Sequence, residues 1–415
     1  MDAVSPLRRA VVAVGILCCA SCAPARAAVP PEPSLVTGER ADASTTTTIR
    51  RTTPTSTTVP RTGTAPGTTT GATTSTSSTS TTSTLPHPTG WAGFDEIIGY
   101  DLLINGDTSA SVAVMIEGEL VHASAFGVRV AGTFDNTEPV DRFRIASVSK
   151  VITAIVTLQL VEDGLLALDE PVGGRVASFL GVTASPAAAQ VTVEQLLSHT
   201  SGFGTFYAAF FQGGATSCPD AAQQGLANLS GGGGYRYSNM NFCVLGMLIE
   251  EVTGTTYEQA VYERLLTPLG ITGMRLASTF DVGPDEVLHA SEPGRTYMET
   301  LGGAGSWIAT PSDIVTIVDS LNPGGTGWQP LSEEMAIRMR RGVYGISGIA
   351  AAYGLGLFNY PDGSFGHTGT IESTHAMVVS RPDRITWALM VNGEYPRDTS
   401  DLKAIVDNAL DIAFD

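Results

Sequence analysis

The chain contains 415 residues, with 41 acidic against 23 basic side chains and a formal net charge of −18. Residues 1–90 hold 4 acidic and 7 basic side chains, so residues 91–415 keep 37 and 16, a balance of about −21. A surface this acidic repels phosphate backbones, which excludes nucleic acid as a partner and favours solubility.

At the start, Arg8 and Arg9 precede the apolar run Ala10 to Ala20, and Ala25-Arg26-Ala27 is a small-x-small cleavage candidate. Residues 1–27 therefore read as a secretory signal peptide. The run is too short to anchor stably in a bilayer. Lipid attachment at Cys19 or Cys22 is the rival reading, and it would fix the chain to a membrane through its N-terminus. Residues 28–90 show no hydrophobic period; Thr and Ser dominate from Ser44 to Leu85, with Pro54, Pro60 and Pro66 among them. Nothing there can be buried to offset chain entropy, so a disordered tether is expected, holding a folded domain at 91–415 away from a surface. The expected location is secreted or cell-surface. Of five cysteines, Cys18, Cys19 and Cys22 lie in the leader. Cys218 and Cys243 remain, an even pair in an exported chain, and are expected to be bridged; two unrelated buried thiols are the alternative.

Along the domain, Trp91 to Tyr100 reads as an amphipathic helix. Ser111 to Ile116, a turn at Glu117-Gly118-Glu119, and Leu120 to Gly127 read as a hairpin. A long apolar helix follows Ser147 and stops at Glu162-Asp163-Gly164. The middle of the chain reads as helical and loop-rich, with helices at 192–198, 241–252, 256–265 and 311–320 and a glycine loop at Gly231 to Gly234. Strands return at 353–360, 364–368, 375–380 and 386–392, before a terminal helix at 399–413. Strands at both ends with helices between predict an α+β, three-layer α/β/α fold. Its antiparallel sheet is built from both ends of the domain and flanked by helices, with an inserted helical subdomain and a ligand groove between the two parts.

The chemistry centres on Ser147-Val148-Ser149-Lys150. A hydroxyl and an amine three residues apart at the head of a buried helix share one face of its first turn. The chain has only two lysines, Lys150 and Lys403, against 21 arginines. Arginine cannot give up its proton, whereas a desolvated lysine can serve as a base. By itself Ser-x-x-Lys also fits a serine N-cap on an ordinary helix.

Three motifs in order, Ser147-Val148-Ser149-Lys150, Tyr237-Ser238-Asn239 and His367-Thr368-Gly369, change that balance. With them the chain resembles the penicillin-recognising serine hydrolases, in the branch of class C β-lactamases and D-alanyl-D-alanine carboxypeptidases that also contains D-aminopeptidases and esterases. The resemblance covers residues 91 to 415. It implies Ser147 as the nucleophile of an acyl-enzyme and Lys150 as the base that orients and deprotonates it. Tyr237 is implied as the proton shuttle, its phenol made usable by the charge of Lys150. Asn239 is implied to bond Lys150 and the substrate, and the backbone NH groups of Ser147 and Thr370 to form the oxyanion hole. His367, Thr368, Gly369 and Thr370 are the implied substrate-binding strand.

One departure bears on substrate. Most β-lactamases carry lysine where this chain has His367, and a neutral histidine grips an anion weakly and in a pH-dependent way. Glu372 adds repulsion if it faces the groove. Both features weigh against efficient β-lactam turnover, so the expected activity is that of a D-alanyl-D-alanine carboxypeptidase or an esterase acting on an amide, peptide or ester, with β-lactamase as an alternative. His199 reads as structural, bonded to neighbouring backbone. His367 and His375 lack the partners of a metal site, and Gly231 to Gly234 lacks the Lys-Ser/Thr of a phosphate loop. Neither a metal nor a cofactor is expected. The partner is a small-molecule or peptide substrate such as a cell-wall peptide, and the domain is expected to be a monomer. A penicillin-binding-like module that recognises wall peptides without turnover is the alternative to an enzyme.

Overall fold

A computed structural model describes residues 88–415 apart from residues 292, 326, 343 and 346–351, so the leader and nearly all of the tether lie outside the described residues. The strands in chain order are β1 (Ser109–Ile116), β2 (Glu119–Gly127), β3 (Phe143–Arg144), β4 (Arg275–Leu276), β5 (Trp307–Ala309) and β6 (Tyr344–Gly345). They continue with β7 (Ala352–Tyr353), β8 (Phe358–Asn359), β9 (Phe365–Ile371), β10 (Thr374–Ser380) and β11 (Ile385–Asn392). The main antiparallel sheet runs β2-β1-β11-β10-β9-β8-β7-β6, so strands from the two ends of the domain meet at the β1–β11 pair, as the element order predicts.

Side-chain alternation explains the layers. On β1 and β11, Ala110, Val112, Val114 and Ile116 and Ile385, Trp387, Leu389 and Val391 point to one face. There they pack with the terminal helices Trp91–Ile104 and Asp401–Phe414. The intervening Ala113, Met115, Ala388 and Met390 face the main helical core on the other side. Period-2 alternation on strands buried on both faces thus specifies two cores at once. The second face carries helix Pro311–Asp319, opened by a Thr310–Asp313 capping box with Pro at its first turn.

Three departures from the sequence reading have physical causes. The strand expected at 353–360 is two short strands, because Gly354 to Leu357 turn back on themselves through Gly354 N to Leu357 O at 2.8 Å, with Gly356 at φ +90°. A second, three-stranded sheet β3-β5-β4 went unread because two- and three-residue strands carry no period. Helices Cys218–Asn228 and Glu333–Arg340 also went unread; they are short and rich in polar residues. Between β3 and β4 lies the helical region that was expected as a subdomain, including Ser149–Glu162, Cys218–Asn228 and Asn239–Thr253. Among the described residues no helix is long and apolar enough to cross a membrane.

Candidate active site

Ser147 sits in a 3-10 turn, Ala146–Val148, one step ahead of the helix Ser149–Glu162 rather than on the helix itself. The turn is fixed on both sides. Ile145 N bonds Trp307 O on β5 at 3.2 Å, and Ala146 takes a left-handed φ of +47°. Against it runs β9. A Cβ on Gly369 would lie 3.1 Å from Ser147 N and would overlap the Ile145 carbonyl oxygen, so only glycine lets the strand approach this closely.

Lys150 is fully buried. Its Nζ lies 3.0 Å from Ser147 Oγ, 2.8 Å from Asn239 Oδ1 and 2.7 Å from the Ala304 carbonyl. Burial alone drives its pKa well below the usual lysine value. A neutral amine satisfies all three contacts, donating to Asn239 and Ala304 and accepting the Ser147 hydroxyl proton on its lone pair. The rings of Tyr237 and Phe242 lie 5.0 Å and 5.7 Å from Nζ.

Tyr237 lies close enough to Ser147 for the serine hydroxyl to act on its phenol: burial pushes the phenol up, and Ser147 only partly opposes this. Burial pushes both groups toward their neutral forms, which opposes the expected use of a Lys150 charge to bring the phenol down. That shift favours Lys150 as a lone-pair base and Tyr237 as the proton donor.

The turn that presents Tyr237 and Asn239 is anchored by His199. Its Nδ1 accepts from Ser238 N at 3.2 Å and faces Asn241 Nδ2 at 2.8 Å, while Ser238 Oγ donates to Gly204 O at 2.6 Å. The structural role read for His199 fits, but the backbone it holds belongs to the second motif. Ser238 then caps helix Asn239–Thr253 through Met240 N, which leaves the Asn239 side chain free to reach Lys150.

The Ala304 carbonyl was not found from sequence, since a backbone oxygen has no residue-type signature. It is fixed by its neighbours: Thr153 Oγ1 donates to Gly303 O at 2.7 Å, and Gly302 packs so tightly on Cys218 that a Cβ would fall 2.7 Å from its sulfur. Cys218 and Cys243 are bridged, joining helix Cys218–Asn228 to helix Asn239–Thr253 behind the lysine.

On β9, His367 is fully buried. Its Nδ1–H donates to Thr368 O at 2.6 Å, and its Nε2 accepts from Tyr353 OH at 3.1 Å. Burial, followed by the proximity of Lys150, pushes its pKa down to about 3. The expected pH-dependent grip on an anion is therefore corrected: the ring is neutral and both nitrogens are engaged. Thr368 is half-buried and Thr370 exposed, its Oγ1 bonded to Thr399 Oγ1. Glu372 does not stand unopposed; Arg295 Nη1 pairs with it at 2.8 Å. Gly231 to Gly234 line a cavity of about 420 Å³ with Gln195, Thr200 and Ser201. Among the described residues no group of three or more His, Cys, Asp or Glu could hold a metal ion.

The sequence profile described as Beta-lactamase matches residues 102–410. Penicillin-binding protein 4 of Amycolatopsis lactamdurans is 31% identical over 314 residues, covering 68% of this chain and 80% of that protein. PbpX of Bacillus subtilis (strain 168) is 26% identical over 275 residues, covering 63% of this chain and 65% of its own length, so the chain spans just under two thirds of it. Among solved structures, the D-amino acid amidase from Ochrobactrum anthropi SV3 complexed with L-phenylalanine has a TM-score of 0.64 at 22% identity, over 78% of this chain and 98% of that one. The chain belongs to the Beta-lactamase family and is a serine hydrolase.

Proposed function

We propose that this protein cleaves an amide bond of a D-amino acid or D-alanyl peptide through an acyl-enzyme on Ser147. The observation that carries the reading is the buried Lys150 amine 3.0 Å from Ser147 Oγ. In the first step the Ser147 proton passes to Lys150 Nζ as Oγ attacks the carbonyl carbon, and the oxyanion is held by the NH groups of Ser147 and Thr370. Tyr237 hands its proton to the leaving nitrogen and is reprotonated from Lys150. The C–N bond breaks, leaving an ester on Ser147 that water hydrolyses with the same groups acting in reverse.

Support for an amide substrate comes from the relatives: one is a penicillin-binding protein and one a D-amino acid amidase. The neutral, fully bonded His367 brings no positive charge to a leaving-group carboxylate, so such a group is not required, and an ester is the second substrate class. We further propose that the enzyme is exported and displayed on the 28–90 tether. The leader composition and the Cys218–Cys243 bridge, a feature of oxidising compartments, support this.

The test is the intact mass of the full-length chain, and of Ser147→Ala, after incubation with a penicillin and separately with a serine-reactive phosphonate. A phosphonate adduct that disappears in the variant, with a penicillin adduct beside it, is expected. If neither reagent adds mass to the unaltered chain, the acyl-enzyme reading fails and a non-catalytic wall-peptide binder takes its place.

A further inference from the structure

A second cavity, of about 520 Å³, opens beside the far end of β9, and Arg295, Thr370, Glu372, Ser373, His375 and Glu394 line it. Its place in the reaction follows from the site geometry. Tyr237, the donor to the leaving group, lies near His367 and Phe358, with ring centroids 6.3 and 6.4 Å away. The leaving group therefore departs toward the start of β9. What stays on Ser147 extends the other way, past the Thr370 NH, to the strand's end where this cavity lies.

Its chemistry points to one kind of group. The lining carries one positive charge, Arg295, against two negative ones, Glu372 and Glu394. The positive charge is already matched, since Arg295 pairs with Glu372 at 2.8 Å. Among the described residues Glu394 accepts from a neutral donor, Ser373 Oγ at 2.6 Å, and lies beside His375, whose ring its charge and backbone act on. The independent sign is His375, only 4% exposed. Its Nδ1 is held by Thr399 Oγ1 at 2.9 Å, while its buried Nε2 forms no hydrogen bond. In the tautomer that donates Nδ1–H to Thr399, Nε2 offers a lone pair.

We infer that this cavity is an acyl-side subsite for a protonated primary amine carried by the substrate, received by the Glu394 carboxylate and His375 Nε2, with the hydroxyls of Ser373 and Thr370 alongside. An ammonium has three donors and no acceptor, which suits a lining of carboxylate, imine nitrogen and hydroxyls with excess negative charge. This rests on the acyl-enzyme reading for its direction along β9, but not for its chemistry.

The experiment compares two p-nitrophenyl esters of equal length on the full-length chain, one of 6-aminohexanoate and one of heptanoate. The aminated ester is expected to show a KM about tenfold lower at similar kcat, the effect of one charge-assisted contact. In Glu394→Gln that ratio falls to about one, and raised salt shrinks it in the unaltered enzyme. A ratio near one in the unaltered enzyme, or one that Glu394→Gln leaves intact, overturns the inference.

Binding to Ser147→Ala, which needs no turnover, separates the two readings. Hexylamine, hexanol and hexanoate are titrated by ligand-observed NMR. Selective hexylamine binding that is lost in Ser147→Ala/Glu394→Gln supports the subsite even if the esters are inert. Preference for hexanoate, or equal response to all three, refutes it.

Discussion

Gly369→Ala is the sharpest test of how the nucleophile and β9 are joined. The added methyl would sit 3.1 Å from Ser147 N and 3.1 Å from Ala146 Cβ, and well inside van der Waals contact distance of the Ile145 carbonyl oxygen. Two of these three neighbours are backbone atoms, and the turn they belong to is pinned by Ile145 N to Trp307 O. No side chain can swing aside, so strand and turn must part by roughly 1 Å to restore ordinary contact. Both proposed oxyanion donors, the NH groups of Ser147 and Thr370, flank this point. A misplacement of that size costs about 10²-fold in rate, near the cost of losing one oxyanion-hole donor. Overpacking should cost roughly 1–3 kcal/mol of stability as well. The assay is the acylation rate with a chromogenic ester, beside thermal unfolding of the same preparation. Because the oxyanion exists only in the transition state, kcat should fall with KM little changed. An alanine variant with kcat within about twofold of the unaltered enzyme and the same Tm would refute the geometry.

Three further outcomes follow from the same contacts. Lys150→Arg keeps a cation but loses the neutral lone pair, so the rate of penicillin or ester acylation should fall about 10³-fold; intact-mass time courses measure it. The histidines His199, His289 and His367 are all buried with pKa values held below the free value of 6.5, mainly by burial. The unfolded chain binds more protons at these positions, so stability rises with pH and is lost as pH falls. For His367 the window runs from 6.5 down to about 3, at about 1.4 kcal/mol per pH unit within it. Asp107, pushed up to about 6 by burial, opposes this between pH 3.8 and about 6; Tm against pH should still fall below 6.5, and a flat profile would contradict the neutral histidines. Replacing Cys218 and Cys243 by serine opens a loop of sequence separation 25. By loop entropy this costs about 3.5 kcal/mol, to be read from denaturant unfolding under non-reducing conditions.

The sequence alone determined the kinds of chemical group and their order. A lone lysine three residues after a serine, a Tyr-Ser-Asn turn and a His-Thr-Gly strand announced a serine acylation site. The alternation in 111–127 and 375–392 announced a sheet built from both ends, because period and residue type are local properties. What tertiary structure decided was the state of those groups. Lys150 is pushed toward its neutral form because it is enclosed, and its third contact is the Ala304 carbonyl, 154 residues away. His367 was legible as a departure from the usual lysine, yet only the fold supplies Tyr353, which occupies its second nitrogen. Likewise Arg295 meets Glu372 across 77 residues. Burial and long-range pairing set charge, and neither is written in the spacing of neighbours along the chain.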